Sequence, residues 1–213
     1  MNFDELTVTT VVLIVAGSET VATQLSGLTY YLCSNPSLLT KLQKEIRSTF
    51  KSEKEITMVS TNSLTYLTAV LNETLRIYPA SVGILARVTP PEGCVIAGRF
   101  VPGRTSVSVA RWSASHSSSN FTRPHEFIPE RWLGEEEFEA DNRKMLQPFS
   151  VGPRNCVGRN LAMAEMRVLV ARLVWGFNME LCEESKQWVQ GQNVFLVYDK
   201  PPLMMKLEPL GRA

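Results

Sequence analysis

"PFSVGPRNCVGRN", residues Pro148 to Asn160, places one cysteine among glycines, arginines and a proline, directly before an apolar helical run. A cysteine binds metal as a thiolate, and an unprotected thiolate is protonated or oxidised. Gly152, Pro153 and Gly158 bring backbone amides near the sulfur and let a flat ligand approach without Cβ clashes. The helix that follows offers free N–H groups and a positive dipole end to a negative sulfur. Arg154, two residues before the cysteine, is placed to meet a carboxylate on such a ligand. This is the chemistry of a single axial thiolate to iron.

Other readings of the stretch fit less of it. Structural zinc needs three or four protein ligands, and no Cys or His lies at ligand spacing from Cys156. A phosphate loop needs Lys-Ser/Thr after its second glycine, but Arg159-Asn160 follow Gly158. A cysteine phosphatase wants an arginine six residues after its nucleophile, and that position is Ala162. A plain buried cysteine on a capping loop leaves Phe149, Arg154 and both glycines unexplained.

Outward from this loop, the chain of 213 residues is 44% apolar and 20% charged, as soluble globular domains are. A net charge of +1 gives no global pull toward nucleic acid or acidic membrane. Cys33, Cys94, Cys156 and Cys182 lie far apart, which argues for a reducing compartment rather than a disulfide framework. Asp4 and Glu5 stand where a signal peptide is basic. The run Val8 to Gly17 is too short to span a bilayer, and Ser18-Glu19 interrupt its continuation.

The periodicity predicts a long helix over about 5–34, capped by Asp4 or Thr7 and stopped at Asn35-Pro36. A charged-faced helix follows from near Pro36, and another over about 63–78, ended by Pro79. Short β-prone pieces fill about 80–109, broken by "TPPEG", "AGRF" and "VPGRT". Loop and short helix run from Arg111 to Asp141. After the loop 148–158, residues about 159–177 form a helix apolar most of the way round, expected to be buried. "FLVYDKPPLMMKLEPL" reads as a strand, a turn and a last strand. The expected class is mainly α with a small β part (α+β).

Phe149, Gly152, Arg154, Cys156, Gly158 and Ala162 match the pattern FxxGxRxCxGxxxA, and with it the chain resembles the cytochrome P450 family. Three further likenesses follow in the family's order. "AGSET", Ala16 to Thr20, resembles the oxygen-activating part of its long central helix. "ETLR", Glu73 to Arg76, resembles its ExxR element, and "PERW", Pro129 to Trp132, resembles its PERF element. The likeness runs from about Leu6 to about Leu207, and phrases such as "NFTRPHEFIPERWLG" and "KPPLM" look most like fungal microsomal members of secondary metabolism.

The resemblance implies the C-terminal half of that fold as one incomplete domain over 1–213. It makes Cys156 the axial ligand of a haem b iron, with Phe149 beside the sulfur and Arg154 and Arg87 on the propionates. Gly158, Ala16 and Gly17 then leave room for the haem. Ala16 and Thr20 share a helix face. An isolated threonine would bond back to its own carbonyl; beside Glu19, the resemblance makes Glu19 and Thr20 an acid–alcohol route for protons. Glu73 and Arg76, three apart, would ordinarily be a surface ion pair; the resemblance buries them with Arg131 as structural support.

The implied activity is a monooxygenase using O2 on a lipophilic substrate, with NADPH-cytochrome reductase as electron donor, at the cytosolic face of the endoplasmic reticulum membrane. The alternative is an inactive haem-binding remnant or a non-enzymatic partner protein. Members are longer, with an N-terminal anchor and helices over the distal haem face, so an exposed apolar face is expected on the first helix. Substrate contacts are expected from Leu13 to Thr20, Ala80 to Leu85 and Asn193 to Phe195. Arg143, Lys144, Arg159 and Arg167 flank the loop as a donor-docking or merely solvated face, and His116 and His125 read as loop-packing or solvated.

Overall fold

The structure, a computed structural model, describes residues 2–83, 85–195 and 197–211. It is mainly helical: α1 (Phe3–Ser34), α2 (Pro36–Thr49), α3 (Thr65–Ile77), the short α4 (Arg111–Ser115) and α5 (Arg159–Gly176). Short strands lie between and after them in antiparallel pairs: β1 (Arg87–Val88) with β4 (Ser106–Val107), enclosing the hairpin of β2 (Cys94–Ile96) with β3 (Arg99–Val101). Near the C-terminus β5 (Phe177–Leu181) pairs with β8 (Met205–Pro209), and β6 (Asn193–Val194) with β7 (Tyr198–Asp199).

Asn2, rather than Asp4 or Thr7, caps α1. Its side-chain oxygen accepts from Glu5 N at 2.8 Å, and Glu5 Oε2 accepts from Asn2 N at 2.9 Å, a reciprocal capping box. Thr7 instead donates back to Phe3 O at 2.9 Å. Pro36 both ends α1 and opens α2, because its missing N–H and fixed φ suit a first helical residue. The N-terminus of α3 has no cap of its own. Glu45 of α2 supplies one, accepting from Tyr66 N at 2.7 Å and Leu67 N at 2.9 Å.

α1 changes character along its length. Residues from Phe3 to Val15 are exposed, including Val8, Val11, Val12, Leu13 and Ile14. From Val21 onward it enters the core through Thr23, Gln24, Gly27, Leu28 and Leu32. By length and a mean hydropathy of 1.6 it is long and apolar enough to cross a membrane. We read it as a core helix, because its second half is packed within the protein against α2, α3, α5 and β5.

The core gathers Leu42 and Ile46 of α2, Leu67, Val70 and Leu71 of α3, and Met166, Val170 and Val174 of α5. At its edge Tyr78 stacks on Tyr198 (centroids 4.4 Å apart), and Tyr31 stacks on Phe127 at 5.0 Å. Gly27 lets α1 approach this cluster, since a Cβ there would lie 2.2 Å from Tyr78 Cδ1. Gly27→Ala is therefore expected to destabilise the fold by about 1–3 kcal/mol through overpacking. The urea midpoint checks this; an unchanged midpoint would mean that the Tyr78 ring moves aside.

Two expectations shift here. α5 is buried on one side only, with Leu161 and Leu169 exposed. The helix ends at Gly176, because Phe177 begins β5 and pairs with Pro209, a partner that no local pattern marks. The last strand thus returns to the end of α5.

Candidate functional site

The cysteine loop is closed by its own backbone. Cys156 N donates to Phe149 O at 2.8 Å, and Asn155 N to Gly152 O at 3.0 Å. Two residues take left-handed backbone to make the turn, Gly152 at φ +78° and Ser150 at φ +59°. The first was legible as a glycine. The second was not, because serine carries no mark for that conformation. Cys156 is exposed, and a Cβ on Gly158 would meet only its Sγ, at 3.8 Å. Phe149 is half-buried, under the Arg159 guanidinium at 5.9 Å.

Arg111, which the sequence reading passed over, fastens this loop. It donates to Pro148 O at 3.5 Å, to Gly83 O at 3.1 Å and to Ser81 Oγ at 3.3 Å. Burial lowers its pKa, since the guanidinium has given up solvent for carbonyl partners. The loop and the segment that precedes Arg87 are thereby held to one side chain.

A thiolate-held haem needs an open thiol, room beside it, and cations at its anionic edge. Cys156 is exposed, and a Cβ on Gly152 would meet nothing within 4 Å. Arg87 and Arg154 are exposed, and neither has a carboxylate partner among the described residues. The residues present fit such a group. No cluster of three or more His, Cys, Asp or Glu among the described residues could hold a metal ion by itself.

The buried support is larger than the three residues named from the sequence. Glu73, Arg76 and Arg131 have fully buried side chains. Arg76 grips Glu73 with Nη2 at 2.8 Å and Nε at 3.0 Å, and Arg131 Nε lies 3.1 Å from the same carboxylate. Trp132 Nε1 and Ile128 N each donate to Glu73 at 2.9 Å. Arg131 also pairs with Asp141, whose other oxygen accepts from Thr122 N. Arg76 donates further to the carbonyls of Ser115, Pro124 and Glu126. Two cations meet two anions, and the donors that remain reach main-chain oxygens, as buried charges require. Asp141 was missed, since an acid on an irregular stretch carries no periodic signal, and Trp132, named only as the end of "PERW", had no partner assigned.

On α1 Glu19 and Thr20 make separate hydrogen bonds. Thr20 donates to Ala16 O at 2.6 Å, the local back-bond open to any helical threonine. Glu19 pairs with Lys200 and accepts from Thr23 Oγ1 at 3.1 Å, so its hydroxyl partner is Thr23 and not Thr20. Adjacent helical residues point about 100° apart, which keeps the two side chains from meeting. The hydrogen bond from Lys200 holds the Glu19 carboxyl below the ordinary glutamate value. Gln24, one turn beyond Thr20, is buried with neither end of its amide hydrogen-bonded. Gly17 is open, with nothing near a built Cβ.

Of the expected substrate segments, Val82 and Val194 line one cavity of about 460 Å³ with Tyr31, Tyr78, Trp112 and His116. Ile84, within the Ala80 to Leu85 segment, lies outside the described residues. His116 stacks on Trp112 at 4.1 Å and lies 5.6 Å from His125, and burial lowers its pKa.

The family profile described as Cytochrome P450 matches residues 1–207. The chain is 53% identical, over 98% of its length, to cytochrome P450 monooxygenase astA of Talaromyces wortmannii, covering 42% of that relative. It is 48% identical to the trichothecene C-15 hydroxylase of Fusarium sporotrichioides, over 98% of this chain and 43% of the relative. It is 47% identical to the fusicoccadiene 8-ol C-16-hydroxylase of Phomopsis amygdali, over 96% of this chain and 39% of the relative. The chain therefore spans less than half the length of these relatives. The exposed cysteine loop, the buried Glu73 network and these matches agree that the chain belongs to the cytochrome P450 family.

Proposed function

We propose that this chain is the haem-binding portion of a monooxygenase that acts on a lipophilic secondary metabolite. The observation that carries the reading is Cys156, exposed at the end of a complete loop pattern, with Arg87 and Arg154 unpaired with any carboxylate among the described residues. Cys156 would hold haem b by its thiolate, and Arg154 and Arg87 would meet the propionates. Phe149 would shield the sulfur from water. When bound, the haem supplies the chemistry of O2 activation, for which a thiolate ligand favours O–O cleavage.

The chain's own part is binding, orientation and proton handling. Ala16 and Gly17 leave one wall of the site free of bulk. Thr20 holds its proton on Ala16 O and keeps its oxygen lone pairs available as an acceptor. Glu19 stands next to it as the acid. Glu73, Arg76 and Arg131 act through the fold alone. Electrons would come from NADPH through a reductase, at the cytosolic face of the endoplasmic reticulum membrane, as the family relationship supports.

The carbon monoxide difference spectrum of the reduced, haem-loaded protein tests the binding half of this reading, and a thiolate-type Soret band is expected. Turnover with a reductase tests the rest. The second reading, a haem-binding protein without turnover, is favoured by the exposed apolar stretch from Phe3 to Val15. It predicts the band without product. Thr20→Ala is expected to bind haem normally and to divert reducing equivalents to peroxide. Unchanged coupling of NADPH use to product would remove Thr20 from the proton route.

A further inference from the structure

The cavity of about 460 Å³ is walled by rings from distant parts of the chain: Tyr31 near the end of α1, Tyr78 just after α3, Trp112 and His116 at α4, and Tyr198 of β7. Its volume is that of a small-molecule site. The rings are held in pairs, Trp112 on His116 with centroids 4.1 Å apart and Tyr78 on Tyr198 at 4.4 Å. No Asp, Glu, Lys or Arg lines the cavity among the described residues. Burial lowers the His116 pKa, which leaves that ring neutral at neutral pH. Such walls select an uncharged ligand with flat rings of its own.

Most of the polar groups here are already engaged. Tyr78 donates to Gln192 Oε1 at 2.7 Å, and Gln192 Nε2 donates to Trp188 O at 2.8 Å. His116 Nδ1 faces Trp112 O at 2.9 Å. Two hydroxyls remain, those of Tyr31 and Tyr198, and neither has a hydrogen-bond partner among the described residues. Tyr198 is only 9% exposed, so its idle hydroxyl is costly unless something accepts from it. Burial pushes the Tyr31 phenol up to about 12, and burial together with the nearby Tyr31 raises that of Tyr198. Both therefore stay protonated and can donate.

We propose that this cavity is a binding site, separate from the cysteine loop, for a neutral, flat, polycyclic lipophile whose oxygen accepts hydrogen bonds from Tyr31 and Tyr198. None of the residues 148–158, and none of Ala16 to Thr20, lines it. The proposal is thus independent of the haem reading.

The test uses 9-fluorenone, a flat tricyclic ketone, and fluorene, which has the same rings without the oxygen. Both are titrated calorimetrically into the haem-loaded protein, its Tyr31→Phe/Tyr198→Phe form and its Cys156→Ser form. Fluorenone should bind the unmutated protein about tenfold more tightly than fluorene, the discrimination that a hydrogen-bonding site gives. The double phenylalanine form keeps the rings, so fluorene affinity should hold while the preference for fluorenone disappears. Its urea midpoint should hold as well, since neither hydroxyl has a partner to lose. Cys156→Ser should bind fluorenone as the unmutated protein does. Equal affinity for the two probes in the unmutated protein would overturn the proposal, leaving water as all that the phenols hold. So would a fluorenone preference that survives in the double form, or one that is lost in Cys156→Ser, which would place the ligand at the haem. Absence of the thiolate band from the carbon monoxide spectrum would sink the haem reading alone.

Discussion

Cys156→Ser is expected to abolish the thiolate-type Soret band of the reduced carbon monoxide complex while leaving the far-UV circular dichroism unchanged. Serine keeps the backbone bond from residue 156 N to Phe149 O that closes the loop. The side chain is exposed and contributes little to packing, so the fold should not register the change. What goes is the sulfur donor, for which a hydroxyl is a poor replacement at iron. Of the other cysteines, Cys33, Cys94 and Cys182 are partly buried, and burial pushes the Cys33 thiol up to about 11. They should not substitute. A thiolate band that survives in Cys156→Ser would move the ligand elsewhere.

Glu73→Gln should be among the most destabilising single changes in the chain. The carboxylate accepts from two arginines, an indole and a backbone amide, all without solvent access to the carboxylate itself. The amide keeps the shape but removes the charge, so Asp141 alone is left opposite two buried guanidiniums. Breaking one partner of a buried ion pair costs about 3–5 kcal/mol. Chemical denaturation should show a loss of that order, together with release of the Pro129–Trp132 turn from α3. A loss below about 1 kcal/mol, the level of an exposed pair, would count against the buried network. Asp141→Asn should act in the same direction through Arg131, although the sequence marks Asp141 in no way.

Much of the architecture was legible because it is written locally. Proline at position 36, the apolar runs of α1 and α5, and the break at Pro79 each act within a few residues, and the helices fall close to where those signals put them. The cysteine loop was legible for the same reason. Its glycines, arginine and cysteine lie within the seven residues from Gly152 to Gly158, and the chemistry of each can be read without knowing what lies across from it. The burial of Glu73, Arg76 and Arg131 was different. Spacing alone makes Glu73 and Arg76 a surface pair, and only the family likeness placed them inside.

What the tertiary structure alone decided are the partners that lie far along the chain. Arg131 reaches Glu73 across 58 positions, Lys200 reaches Glu19 across 181, and Arg111 joins the cysteine loop to Gly83. None of these has a periodic or neighbouring signal, because a buried charge is matched by whatever group the folded backbone brings within about 3 Å, not by the residue beside it. The pairing of β5 with β8 and the capping of α3 by Glu45 belong to the same class. So does the partner of Glu19, to which the fold brings a lysine that no nearby residue announces.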